Sequence, residues 1–182
     1  MAGDDRQRWD ARWAARAKTY EPEANPLLIR YQEQLQGGTA LDLACGVGQN
    51  ALWLAGQGYH VTGVDISPVA LARARAEAQA RGLVVEFVEA DLDTYPLPEK
   101  AFDVVAVFRF LERKLFPAIE AALRPGGWLF YQTYNVRRLE SRPDMPREKL
   151  LEVGELARAF PALDIVESGD AGQLSHLVCR QR

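Results

Sequence analysis

Asp42, Gly46, Gly48 and Asp65 are the residues of this chain whose types and spacing promise chemistry. Two glycines one residue apart let backbone N–H groups and a helix N-terminus approach a ligand closely, and such a site favours an anionic group. Asp65 follows Gly46 at about the twenty-residue interval of an acid that accepts hydrogen bonds from a pair of ribose hydroxyls. Together they describe a nucleoside-binding strand, turn, helix and strand. Gly46-Val47-Gly48-Gln49-Asn50-Ala51 also satisfies the dinucleotide pattern G-x-G-x-x-A, so the glycines alone leave a nicotinamide cofactor and other nucleosides both open. Asp42 weighs in the choice: an acid four residues before Gly46 opposes a pyrophosphate and suits the ammonium of an amino-acid moiety.

S-adenosylmethionine carries that ammonium. The stretch Asp42-x-Ala44-x-Gly46-x-Gly48, continued by V-D-I-S-P-V-A-L and later by L-R-P-G-G-W-L, resembles the class I S-adenosylmethionine-dependent methyltransferases, in particular the small bacterial members related to the tellurite-resistance enzymes. Ala44 stands where many members have glycine. The resemblance covers residues 26–182 and is densest over 39–75. It implies an α/β, doubly wound, mostly parallel seven-stranded sheet with an antiparallel C-terminal hairpin, a Rossmann-like arrangement. It implies S-adenosyl-L-methionine as cofactor, held by Asp42, Ala44, Cys45, Gly46, Gly48, Asn50, Asp65, Ile66, Asp91, Leu92 and Phe108. In that family an acid at the position of Asp91 hydrogen-bonds the adenine amino group; the plain structural role for Asp91 is to cap the turn after its strand.

The elements that must position these residues follow from apolar runs and their punctuation. Trp9 and Trp13 at i, i+4 spacing, with Ala17 on the same face, predict an amphipathic helix over 4–18 that either caps one edge of the core or lines a lid. Glu21-Pro22 breaks the chain, and a helix resumes over Leu27–Leu35. A buried strand is expected over 39–45, a short helix over Asn50–Gln57, a second strand over Tyr59–Ile66, and a helix over Val69–Arg81 introduced by Ser67-Pro68. A third strand, Val84–Leu92, ends on Asp91. Pro96 and Pro98 shorten the next crossover, and Phe102–Phe108 is the fourth strand. A helix over Lys114–Leu123 stops at Arg124-Pro125-Gly126-Gly127, and the fifth strand runs Trp128–Tyr134. The sequence then offers a loop at 135–148, long enough for a lid, a helix over Lys149–Phe160, and a hairpin of Leu163–Ser168 and Leu174–Arg180.

The chain is expected to be one domain, with an N-terminal helical cap (1–36), a cofactor-binding core (39–134), a lid loop (135–148) and a C-terminal helix and hairpin (149–182). Its 182 residues leave no room for a separate substrate domain. A net charge of −3 gives no footprint for a polyanion, which argues against nucleic acid and for a small-molecule methyl acceptor. No apolar run suits a membrane span or a signal peptide, so a cytoplasmic protein is expected. Two cysteines and two histidines suggest neither a disulfide scaffold nor a metal site.

Methyl transfer mainly needs positioning, so no residue is essential by spacing alone. The candidates for a catalytic role are Arg109, which could fork onto an anionic acceptor or simply pair with Glu112, and Tyr134 and His176, with Tyr131, as base or orienter of a protic acceptor. His176, which shares a face with Leu174 and Val178, reads more readily as a satisfied strand histidine than as a base. A soft anionic nucleophile would need no base. The competing functions are a small nicotinamide-dependent oxidoreductase and a non-catalytic binder of S-adenosylmethionine.

Overall fold

The strand that carries Asp42 stops early. β1 runs Gly38–Leu43, two residues short of the expected end, because Ala44 takes a left-handed conformation (φ 54°) that turns the chain out of the sheet. The computed structural model describes residues 2–16 and 23–182; the expectations for Ala17, Lys18, Glu21 and Pro22 lie outside the described residues.

The chain divides into two compact units, residues 1–96 and 97–182. In the first, α1 (Ala2–Ala15) is followed by a short α2 (Pro26–Arg30), whose Asn25 cap accepts the Leu27 N–H at 2.9 Å. A single 3-10 turn, Gln32–Gln34, stands where the rest of a longer helix was expected. β1 then leads through the glycine turn into α3 (Gln49–Gly56), β2 (Tyr59–Asp65), α4 (Pro68–Ala80) and β3 (Val85–Glu89). Ser67 and Pro68 start α4 as their types require: the Ser67 hydroxyl accepts the Ala70 N–H at 3.2 Å and Pro68 fills the first turn. β2 pairs in parallel with β1 on one side and β3 on the other. β2 ends at Asp65, opposite Glu89; the Ala90 N–H still donates to the Asp65 carbonyl at 3.0 Å, but β3 goes no further, and Asp91 lies in the following turn instead of on the strand.

The second unit contains β4 (Phe102–Phe108), α5 (Phe116–Ala122), β5 (Leu123–Tyr134), β6 (Leu163–Ala171) and β7 (Leu174–Gln181). β5 begins five residues earlier than expected: Leu123 pairs with Phe102, residues 124–127 bulge out, and pairing resumes at Val104 and Trp128. β7 runs antiparallel to both β5 and β6. The seven strands form one mixed sheet of order β3-β2-β1-β4-β5-β7-β6, the architecture expected from the sequence.

Residues 135–160 depart furthest from the sequence reading. The 135–148 stretch carries a 3-10 turn at Val136–Glu140, and another follows at Arg147–Lys149. No α-helix forms over 149–160, where only a 3-10 turn at Leu156–Arg158 is present. Two causes are visible. Gly154 sits at φ +74°, outside helical space. Arg113 takes the carbonyls of Glu148 and Leu150 at 2.7 and 2.9 Å, which holds them away from helical partners, and closes on both oxygens of Glu155 at 2.6 and 2.9 Å.

Candidate functional site

The turn between β1 and α3 is built from three left-handed positions at alternate residues, Ala44 (φ 54°), Gly46 (φ 56°) and Gly48 (φ 81°). Alanine at the first is held against a cost of roughly 1–2 kcal/mol that glycine would avoid. The floor is tight below: a Cβ on Gly48 would lie 3.0 Å from both Ala74 and the Phe87 ring. Gly48 is therefore required by its packing against α4 and β3 as well as by its left-handed backbone.

The two acids converge on this turn. Asp65, 8% exposed, accepts the Gly46 N–H at 2.7 Å through one oxygen and the Ser67 N–H at 2.9 Å through the other. It thus ties the glycine turn to the start of α4. Burial raises its pKa, the N–H groups of Ser67, Gly46 and Ile66 oppose that rise, and the charge of Asp10 adds to it. Asp42 is 1% exposed and accepts the Ala51 N–H in the first turn of α3 at 3.0 Å. Burial lifts its pKa to about 8, against the Ala51 hydrogen bond and with a further rise from Asp65. Burial penalises the ionised form of this carboxyl, and a cation brought beside it would favour that form. That is the electrostatic condition for an ammonium-bearing ligand and the reverse of a pyrophosphate site.

Gln49, next to Gly48, has a buried side-chain oxygen with no hydrogen-bond partner among the described residues. An orphaned acceptor beside the turn calls for a donor. Its type was unremarkable in the sequence, and only its lack of a partner singles it out. Cys45 is buried, and burial followed by the charges of Asp42 and Asp65 pushes its thiol well up, so it packs and does not attack. Asn50 is also buried, and its side-chain oxygen accepts the Asn25 N–H at 2.8 Å, fixing α2 to α3. Ile66 is half-buried and Leu92 buried. The Asp91 carboxylate accepts the Asp93 N–H at 3.0 Å, capping its own turn.

α1 lies over the same floor. A Cβ on Gly46 would fall 2.9 Å from the Trp13 ring, the Ser67 hydroxyl donates to Asp10, and Arg6 pairs with Glu89 at the end of β3. Arg73 of α4 holds the Arg16 carbonyl at 2.8 Å. Trp13 was legible as a lid candidate. Asp10 was not, since nothing local marks one acid among several on a charged helix.

The remaining candidates lie in the second unit. Phe108 is buried at the end of β4. Arg109 follows it, exposed and in left-handed backbone (φ 58°), its N–H donating to the Gln132 carbonyl at 2.8 Å. No pair with Glu112 is present among the described residues; Glu112 lies 3.9 Å from Lys149. Tyr134 carries the Arg138 guanidinium over its ring at 4.7 Å. Tyr131 is buried and donates to the Phe110 carbonyl at 3.1 Å. His176 Nε2 lies 2.9 Å from Glu167, the arrangement of a satisfied strand histidine. Among the described residues no cluster of three or more histidines, cysteines or acids could hold a metal, and no helix is long and apolar enough to cross a membrane.

Residues 40–127 match a family model described as a methyltransferase domain. The chain is 34% identical over 135 residues to a ubiquinone biosynthesis O-methyltransferase of Paraburkholderia phytofirmans, an alignment that takes in 68% of this chain and 58% of the relative. The chain spans little more than half the length of the first curated relatives it matches. Among solved structures, one described as "Conversion of a Disulfide Bond into a Thioacetal Group during Echinomycin Biosynthesis" superposes with a TM-score of 0.73 at 25% identity, over 97% of this chain and 92% of that one. TehB from Haemophilus influenzae superposes with a TM-score of 0.73 at 16% identity, over 86% of this chain and 61% of that one, a likeness of fold.

Proposed function

We propose, from the premise that this chain belongs to the class I S-adenosylmethionine-dependent methyltransferases, that it transfers a methyl group from S-adenosylmethionine to a small-molecule acceptor. The observation that carries the reading is the convergence of two buried acids, Asp42 and Asp65, and the orphaned Gln49 oxygen on a bare glycine turn. These groups fit the cofactor. Asp65 would accept the ribose hydroxyls with lone pairs left over from its two N–H bonds. Asp42 would take the ammonium side as a charge, and Gln49 would accept a donor there. Gly46 and Gly48 would allow the amino-acid end to lie on the backbone, with Ala44, Cys45 and Asn50 shaping the turn. Ile66, Asp91, Leu92 and Phe108 are assigned to the remainder of the cofactor.

The bound cofactor supplies a sulfonium whose methyl carbon passes to the acceptor's lone pair while sulfur keeps the electrons of the broken bond. What the protein must add is position, which is worth roughly 7–11 kcal/mol for well-oriented reactants. Arg109 is assigned to an anionic acceptor, where a planar guanidinium forks onto a carboxylate or oxyanion. A neutral hydroxyl acceptor also has to lose a proton, and Tyr134 and His176 are the side chains we assign to that task. His176 Nε2 lies 2.9 Å from the Glu167 carboxylate, which would fix the orientation of the ring.

The test is a panel of phenols, quinols, thiols, amines and oxyanions incubated with methyl-labelled cofactor. Quinols are included because the Paraburkholderia relative is named for ubiquinone biosynthesis. Label transfer to one class, with release of S-adenosylhomocysteine, supports the enzyme. Tight cofactor binding with no transfer across the panel supports a non-catalytic binder, and binding of NAD alone would overturn both.

A further inference from the structure

Arg138 is a cation among neutral neighbours. It sits half-buried in the 3-10 turn that follows β5, with its guanidinium over the Tyr134 ring at 4.7 Å. Its Nη1 donates to the Gln173 side-chain oxygen at 2.7 Å and, less closely, to the Ser141 hydroxyl at 3.4 Å. No carboxylate pairs with it among the described residues, whereas Arg113, Arg142 and Arg147 of the same unit meet Glu155, Asp144 and Glu152. The Arg138 Nε–H is buried and, like Nη2, reaches no acceptor among the described residues. These two nitrogens form the edge of the planar fork that takes a carboxylate through paired hydrogen bonds. A half-buried cation and an orphaned donor each cost stability, and an anion at that edge would offset both costs.

The turn holds the edge in place. Asn135, fully buried, accepts the Arg137 N–H at 3.0 Å and donates to the Gly172 carbonyl at 3.2 Å and the Ser175 hydroxyl at 3.3 Å. The Arg138 N–H donates in turn to the Asn135 carbonyl at 2.9 Å. Backbone and side chain of Arg138 are thus both tied to the loop between β6 and β7. β4 and β5 pair in parallel with Phe108 opposite Gln132, so Tyr134, two residues further along β5, shares their face and lies just beyond the end of β4. One strand spacing across and two residues along put its Cα roughly 8 Å from that of Phe108. The C-terminal ends of such parallel strands are where ligands of open α/β sheets bind.

We propose that the Nε–Nη2 edge of Arg138 is a specificity site for the methyl acceptor, binding a carboxylate at the end of the acceptor remote from the atom that is methylated; this rests on the methyl-transfer reading above and narrows its acceptor. Arg109 follows Phe108 at the end of β4, and Arg138 covers Tyr134 at the end of the neighbouring strand. A compact acceptor that spans the two strands presents an anionic nucleophile to the first arginine and its second charge to the other.

4-Mercaptobenzoate and 4-mercaptobenzamide carry the same nucleophile and differ in the remote charge. With S-adenosylmethionine saturating, the parent is expected to methylate the carboxylate with a KM about ten- to a hundredfold below that of the carboxamide, the worth of one charge-assisted hydrogen bond, at similar kcat. Arg138→Gln is expected to bring the two KM values together while its melting temperature and its affinity for S-adenosylhomocysteine stay parental. Arg138→Lys, which keeps the charge and loses the fork, is expected to fall between them. A parent with no preference for the carboxylate, or a preference that survives in Arg138→Gln, would overturn the proposal. Should Arg138→Gln fail to fold, a KM ratio in Arg138→Lys equal to the parent's would overturn it as well. Calorimetric titration of both probes into protein saturated with S-adenosylhomocysteine reads the same preference without turnover, and equal or absent binding in the parent refutes the carboxylate site alone. A parent that does not bind S-adenosylhomocysteine fails the methyl-transfer reading first, and this site falls with it.

Discussion

Replacing Asp65 by alanine tests whether this acid is part of the fold as well as of the site. Its two oxygens accept the N–H groups of Gly46 and Ser67 at 2.7 and 2.9 Å in a position only 8% exposed. Alanine leaves both donors without their acceptor. Hydrogen bonds to a charged group contribute about 1.5–3 kcal/mol each. Against this stands the relief of a carboxylate that burial penalises, which is the largest cause of its raised pKa. A net loss of about 2–4 kcal/mol results, and at about 2–4 °C per kcal/mol for a chain of this size the melting temperature is expected to fall by about 5–15 °C. Asp65→Asn keeps one oxygen and should lose less than half as much. Thermal unfolding of parent and both variants, followed by circular dichroism, measures the fall, and calorimetric titration with S-adenosylhomocysteine at a temperature where all are folded measures the ligand. An Asp65→Ala protein that melts within about 1 °C of the parent would refute the turn-tying role. One that binds the cofactor product as the parent does would remove Asp65 from the site.

Three further outcomes are expected. Asp42 has a folded-state pKa near 8 against 3.8 for the ordinary group, so between about pH 4 and 8 the folded state holds a proton that the unfolded chain has released. Stability therefore falls as pH rises through that window, by up to about 1.4 kcal/mol per unit. Asp42→Asn, which keeps an acceptor for the Ala51 N–H, should flatten the dependence in urea melts while weakening the cofactor; a parent whose stability does not fall between pH 5 and 8 would contradict the assignment. Gly48→Ala places a Cβ 3.0 Å from Ala74 and Phe87 in left-handed backbone. It should cost about 2–5 kcal/mol, from roughly 1–2 of strain and 1–3 of overpacking, read as a lowered denaturant midpoint. Arg109→Lys keeps the charge and loses the fork, so turnover with an anionic acceptor should drop while cofactor affinity holds, and Arg109→Ala should be worse; near-parental turnover in the alanine variant would retire the anion anchor.

The sequence by itself determined the parts whose physics is local. Asp42, the glycines and Asp65 lie in one strand-turn-helix-strand run, and their spacing alone set out a nucleoside cradle; Ser67 and Pro68 marked the start of α4 to within one residue. The apolar runs located most of the strands, and the resemblance to the class I methyltransferases implied how they are arranged in the sheet. Only the tertiary structure decided where contacts between distant residues override local preference. β3 ends at Glu89, opposite the end of β2 at Asp65, which no property of Val85–Asp91 reveals. The apolar spacing over 149–160 reads as helix, yet Arg113, 35 and 37 residues earlier in the chain, captures the Glu148 and Leu150 carbonyls and holds the segment open. At the site, Asp10 and Ser67 stand 57 residues apart. One charged residue on an exposed helix carries no mark of the hydroxyl it will meet, because that meeting depends on where packing lays the helix.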